Sequence, residues 1–574
     1  MRQNLYIASL NRILTDMNNQ EMTDVPDIFR YDEVLFVYIN DDNYKEVIHE
    51  FCRDIYLNNI RELDDKEYLD SLNPDNNKII TNDTTLEDIL KKLPRPFTII
   101  QENHHIDKSF RDSYYTYYSN QHFQTKRYSR RLSFFQNIVD EDLFLYQDSE
   151  DVPKEVQDAF MGTCVVNPLS KGMIGRTLIN PKYLISNNSL PVYVRLSKYT
   201  LHIYGKKLTV KAFPYRMQDS ETMSCVEVTL LNLTDYYSNS YKDYPSVVPS
   251  EILKSIQKQS HERVLPSKGA TYPILTKTLS DFGFSPRLYN LNSIDSYSLS
   301  YLSKKDKLKR WLHYYIESGI PVAVNLMPKG QKGPGHSVIC IGHGKENRSL
   351  RKKAFQNKYL SYKHRDTAHP LINSADFYDE YVIIDDNEPV YQVRTFDKLA
   401  TFSDLEAVNL AVPLYKRMFM DAPDANTIVR AVLQHKELGI TAWCDGFLEP
   451  KEDVIIRLFM ASSSGLKSFR IASQANYYIA KNYALVPMPR FVWVCELYRV
   501  SDYEELKAFG EIVLDATSVP GNGQETDSLI LARYPKKIAY RMPEDAEIAF
   551  DESVEVLEDD FFPGYRHNLE KYGL

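Results

Sequence analysis

Cys225 lies in the stretch FPYRMQDSETMSCVEVTLLNLTDYY (Phe213–Tyr237), where a polar loop turns into an amphipathic run. The spacing of Leu230, Leu233 and Tyr237 predicts a helix there, with the cysteine at its start. A thiol is a useful nucleophile only as thiolate, so a catalytic cysteine needs its ordinary pKa of about 8.5 lowered by a helix N-terminus and a nearby imidazole. The unpaired N–H groups of a starting helix supply partial positive charge and one backbone donor for an oxyanion. Gln218, seven residues upstream, is placed to supply a second donor from its side-chain amide. The imidazole must come from elsewhere. In KGPGHSVICIGHG, His336 opens an apolar strand directly after a Gly/Pro loop, a position from which a side chain can point into a cleft. A histidine base needs an acceptor on its other nitrogen. Asp385, in YVIIDDN, ends an apolar run 49 residues later, where aspartate is otherwise disfavoured. Asp386 and Asn387 compete for that third position; Asp385 is preferred because it shares strand parity with Tyr381 and Ile383. The chemistry these residue types suit is acyl transfer through a thioester.

The elements that must hold these groups can be read around them. DKLKRWLHYYIESG (Asp306–Gly319) predicts a helix whose Leu308, Trp311, Leu312 and Tyr315 form one stripe and whose stop is Gly319. Three strands follow, at Ile320–Leu326, His336–Gly342 and Tyr381–Asp386, the last two joined by a long, basic linker, Lys345–Glu380, that is expected to be an exposed excursion. At about 150 residues per domain, 574 residues suggest three or four units. Residues 1–150 read as an α/β unit that closes at the acidic stretch Asp140–Glu155. Residues 158–395 read as a β-meander followed by the catalytic unit, and 400–574 as a helical then β-rich unit with an acidic Glu544–Glu558 surface or tail.

The order helix-start Cys, strand-start His, strand-end Asp, with Gln before the Cys, resembles the papain-like cysteine peptidases, and more closely their C39-like branch. In that branch Gln precedes Cys, GH opens a strand of the form GHSVICIG, and an Asp closes the next strand. The resemblance covers Phe213 to Val393. It implies an α+β papain-like core, with the helix carrying the Cys at its N-terminus packed on an antiparallel sheet. On it Gln218 is the oxyanion glutamine, Cys225 the nucleophile, His336 the base and Asp385 its orienting partner. Two departures bear on the oxyanion geometry: Val226 stands where Gly is common, and Gln218 lies seven residues upstream where about six is usual. The implied activity is peptide or isopeptide cleavage; deamidation and acyl transfer to an amine would use the same residues. The alternative is a papain-fold binding or scaffold protein without activity.

Composition sets the remaining expectations. The formal charge of -9, from 69 basic and 78 acidic residues, argues against general nucleic-acid binding, and the basic patches Lys126–Arg131 and Arg348–Lys353 read as solvated surface. The partner expected is a protein or peptide substrate. No run approaches the 18 or so apolar residues of a membrane span, and Met1–Leu14 lacks the apolar core of a secretion signal, so a soluble cytoplasmic protein is expected. The six cysteines, never closer than 51 residues apart, form no CxxC pair. His104, His105 and Asp107 do not read as a metal cluster, and the glycines of KGQKGPGH do not form a phosphate loop. No metal or organic cofactor is required. Cys340 reads as core, His343 as loop surface and Asp515 as a turn former.

Overall fold

Strand His336–His343 is buried along its whole length, and a strand apolar on both faces needs a layer on each side. Its alternating side chains meet two different cores. Val338 and Cys340 join Leu308, Trp311, Leu312 and Tyr315 of the helix Lys304–Glu317, together with Leu458 and Trp493 of a C-terminal sheet. Ile339 and Ile341 join Val226, Leu230 and Leu233 of the helix Cys225–Ser240, together with Phe97 and Phe134 of an N-terminal sheet. The layers therefore run sheet, helix, sheet, helix, sheet. Burying each of these large apolar side chains contributes about 1.5–3 kcal/mol.

This computed structural model describes residues 35–59, 85–122, 125–140, 143–144, 151–169, 171–185, 191–294, 302–330, 333–356, 369–401, 404–444, 446–473, 477–519, 527–535, 537–542, 549–551 and 561–573. The fold is mixed α+β with several antiparallel sheets. Met1–Leu14 and all of Glu544–Glu558 except Ala549–Asp551 lie outside the described residues. Three helices concern the site: α1 (Cys225–Ser240), α2 (Tyr272–Asp281) and α3 (Lys304–Glu317). The central sheet holds β1 (Val322–Pro328), β2 (His336–His343), β3 (Glu380–Ile384), β4 (Gln392–Thr395) and β5 (Leu405–Val412), ordered β4-β3-β2-β1-β5 and continued by Arg287–Asn290. All these pairs are antiparallel; Leu326 faces His336, and Cys340 faces Ile383.

The first sheet pairs Leu35–Ile39, Phe97–His105, Ser129–Gln136, Phe160–Val166 and Ile174–Ile179 in chain order. It continues across the acidic stretch Asp140–Glu155, because Ser129–Gln136 pairs with Phe160–Val166. The hairpin Ser197–Ile203/Lys206–Ala212 forms its own two-stranded sheet and packs Tyr199, Ile203, Leu208 and Val210 against Phe135, Phe160 and Leu178 of the first. The C-terminal sheet of seven strands begins with Leu371–Asn373, which pairs in parallel with Val454–Ser462. The excursion through Lys345–Glu380 is thus partly buried, while its basic helix Arg348–Gln356 buries no residue. From Glu317 at the end of α3 a buried ion ladder runs across the C-terminal sheet, on the face that carries Phe459, Val494 and Val513. Arg457 bridges Glu317 (2.5 Å) and Glu496 (2.9 Å), and Arg470 links Glu496 (2.5 Å) to Glu511. Ions out of water are retained only when paired in this way.

Candidate active site

The loop before α1 is built around one buried carboxylate. Asp219 Oδ1 accepts the backbone N–H groups of Glu221 (3.0 Å), Thr222 (2.7 Å) and Met223 (2.8 Å), and Oδ2 accepts the Tyr118 hydroxyl (3.0 Å). Behind it, Gly172 lets the Gln218 backbone approach: a Cβ at Gly172, whose φ is +59°, would lie 2.1 Å from the Gln218 carbonyl oxygen. The chain then enters α1 at Ser224, whose N–H donates to Glu227 Oε2 at 3.2 Å and whose hydroxyl donates to the same oxygen. Ser267 Oγ donates to the other oxygen of Glu227 at 2.9 Å. This is one half of a capping box, and it fixes Cys225 as the first residue of the helix.

His336 is the first residue of β2. The next residue ties that strand to the cysteine helix, since Ser337 Oγ hydrogen-bonds Thr229 Oγ1 of α1 at 2.9 Å and the Tyr272 hydroxyl of α2 at 3.0 Å. Thr229 is about one turn beyond Cys225. His336 Nε2 lies 2.8 Å from Asp385 Oδ1 and 3.6 Å from Asp386 Oδ1. The Cys225 thiol is close enough to the same imidazole to favour its protonated form. With Nε2 taken by Asp385, Nδ1 is the nitrogen left to meet the sulfur. Asp385 follows the last residue of β3 and also accepts the Asn387 N–H at 3.0 Å. Gln218 Nε2 donates to Asn387 Oδ1 at 2.7 Å. A continuous polar chain therefore runs Gln218, Asn387, Asp385, His336, Cys225, and it brings together all four residues singled out from the sequence.

The electrostatics favour a cationic imidazole. Burial opposes charge on His336, but the hydrogen bonds to Asp385 and Cys225 and the charges of Asp385 and Asp386 hold it protonated up to about 10. Asp386 is pushed up to about 7, chiefly by burial, against the pull of His336. Cys225 is partly exposed, whereas Cys164, Cys340, Cys444 and Cys495 are buried. Burial pushes those four thiols up, Cys164 and Cys444 to about 12. Cys52 is raised in the same direction, again first by burial. For a cation, the nearest donor set is His336, Asp385 and Asp386, whose ligand atoms lie within 4.8 Å of one another. Asp385 Oδ2 and both Asp386 oxygens have no hydrogen-bond partner among the described residues.

Other sequence expectations fare variously. His343 is not loop surface: it is the last residue of β2, 3% exposed, 3.2 Å from Glu317 Oε1 and stacked on Tyr193. The cause is Gly342. A Cβ there would lie 2.2 Å from the Tyr193 carbonyl oxygen, so glycine lets the short strand Val192–Val194 pair with the end of β2 and cover His343. Cys340 is core, and Asp515 forms its turn by accepting the Thr517 N–H at 2.7 Å. Asp107 caps the helix Lys108–Thr116 through the Phe110 N–H at 2.8 Å. Arg131, in the basic patch Lys126–Arg131, is neutralised by both oxygens of Glu102. Residues missed in the sequence are Asp219, Glu227 and Ser337, although Asp219-Ser-Glu-Thr carries an Asx-turn signal and Ser224-x-x-Glu227 a capping-box signal. No protein-family model and no curated protein matches the chain.

Proposed function

We propose that the protein is a thiol-dependent hydrolase, a cysteine peptidase or isopeptidase with a papain-like, C39-like core. The observation that carries the reading is a buried imidazole hydrogen-bonded to the Asp385 carboxylate, with the partly exposed Cys225 thiol of the helix start beside it. In this mechanism Cys225 gives its proton to His336, and the thiolate attacks the substrate carbonyl carbon. The displaced electron pair rests on the carbonyl oxygen, which the Cys225 N–H and the Gln218 amide hold. Gln218 has two amide hydrogens and spends one on Asn387, so the second remains for the oxyanion. The C–N bond then breaks, and the imidazolium proton passes to the departing amine. Water, deprotonated by His336, opens the thioester and returns the thiol. Asp385 fixes the ring and balances its charge throughout.

The test is alkylation of the native chain by iodoacetamide, with each cysteine quantified by mass spectrometry. Cys225 is expected to react far ahead of the other five, and His336→Ala to remove that lead. Uniform labelling of the accessible thiols would refute the reading. The second reading, a binding or scaffold protein on the same core, is favoured by the engagement of the Gln218 amide with Asn387. It predicts that no peptide or isopeptide library is cleaved even where Cys225 labels fast. Accumulation of a Cys225 thioester with an activated acyl substrate would dismiss it.

A further inference from the structure

A cavity of about 300 Å³ lies between the N-terminal sheet and the flank of α1. It is separate from the thiol site, since its α1 residue, Asp235, is ten residues from Cys225, about 15 Å along the helix. Its wall gathers Lys108, Arg131, Arg176 and Arg216, and among the described residues its carboxylates are Asp107 and Asp235. Counting Glu102, which pairs with Arg131 from outside the wall, four cations meet three carboxylates. Asp235 is shared between two guanidiniums: Arg176 donates to Oδ2 (2.8 Å) and Oδ1 (2.9 Å), and Arg216 donates to Oδ2 (2.6 Å). Burial works against that carboxylate, yet the two arginines hold it ionised down to about 2. Arg216 is 4% exposed, donates its Nη1 to Asn232, and leaves its buried Nε without an acceptor among the described residues. His105, also in the wall, is held down to about 4, first by burial and then by the charge of Arg131, with a smaller push from Arg176. Val165, Leu178 and Leu201 give the cavity an apolar side. Its volume is at the lower end of small-molecule sites, and apolar walls with a few convergent charges are what such sites use.

We propose that this cavity binds a small-molecule oxyanion, a phosphate or carboxylate group held by Arg176 and Arg216, with Lys108 at its exposed side. Guanidinium donors in a fixed plane suit such groups. The site does not depend on the thiol chemistry and stands or falls without it.

The test is calorimetric titration and thermal unfolding of the full chain with inorganic pyrophosphate and with citrate, at ionic strength held constant by chloride. The two probes separate a phosphate from a carboxylate ligand. Saturable binding of one of them is expected, with the unfolding temperature rising with its logarithmic concentration. Arg176→Gln should weaken that binding about tenfold. Lys108→Gln, at an exposed side chain, should weaken it about threefold without touching the buried pairs. Absence of binding by both probes at about 10 mM, or binding that neither variant weakens, would overturn the assignment.

Discussion

Replacing Asp385 by Asn isolates the charge behind the imidazole, because Asn keeps the shape and an acceptor while removing the anion. The site is dry enough for this to matter: Asp385 is 1% exposed and His336 is 5% exposed. His336 is held protonated up to about 10, against an ordinary value of 6.5. At 1.36 kcal/mol per unit, that bias toward imidazolium is about 5 kcal/mol. Four favourable contributions overcome burial, and Asp385 supplies two of them, its hydrogen bond and its charge. If they carry about half the bias, the variant loses about 2–3 kcal/mol and its histidine titrates about two units lower. The direct assay is NMR of the histidine ring carbons from pH 5 to 11, with the His336 signal assigned by its absence in His336→Ala. The sign for stability follows from the same shift. A pKa raised on folding contributes stability that is complete below 6.5 and is lost as pH rises through about 10. Asp385→Asn should therefore cost most in urea unfolding near pH 6, and the deficit should close above pH 10. A wild-type His336 midpoint at or below 6.5, or one that Asp385→Asn leaves in place, would refute the ion-pair reasoning.

Three further outcomes are expected. Asp386 is pushed up to about 7 mainly by burial, so its neutral form fits the fold below that value and its ionised form costs stability above it; Asp386→Asn should raise urea stability at pH 8 by up to about 4 kcal/mol and leave it nearly unchanged at pH 3. Asp219→Asn weakens three backbone hydrogen bonds to a buried carboxylate; it should cost about 1–3 kcal/mol in urea unfolding and slow alkylation of Cys225 while leaving the His336 titration in place. Arg457→Met removes the cation shared by Glu317 and Glu496 and leaves them His343 and Arg470 as partners; a loss of up to about 3–5 kcal/mol in equilibrium unfolding is expected, and a neutral result would mean that those partners or water replace the arginine.

How much of this was legible in the sequence follows from where each residue sits. Cys225, His336 and Asp385 all stand at element boundaries, and boundaries carry local signals: Ser224 before a helix, a Gly/Pro loop before β2, an acid after the apolar run of β3. Residues whose role is set by long-range pairing gave no such signal. Arg457, Glu496, Arg470 and Glu511 read as ordinary charged positions on strands and helices, because nothing local says that each will meet an opposite charge in the same dry layer. His343 lay beyond reach for the same reason, since its cover comes from a strand about 150 residues earlier whose approach hinges on the missing side chain of Gly342. Asn387 was weighed as a rival of Asp385, and the fold instead uses it as the bracket between Asp385 and Gln218.

That bracket bears on why the flanking sheets accompany the site. The proposed reaction requires a sulfur and an imidazole from separate layers to be held closely, since a displacement of about 1 Å in a reacting group can cost 10²-fold in rate. α1 is clamped at two heights. Near Cys225, Thr229 meets Ser337 of β2, so sulfur and imidazole are referred to one cross-link. Two turns and more beyond, Asp235 and Asn232 are gripped by Arg176 and Arg216, the first from the N-terminal sheet and the second only two residues before Gln218. The loop that carries the amide is thereby pinned to the helix that carries the thiol, and both to the N-terminal sheet. On the other side, the Glu317–Arg457 pair fixes α3, against which β2 packs, to the C-terminal sheet. Each flanking sheet thus fixes one side of the pair, so loss of either should appear first as misalignment of Cys225 and His336.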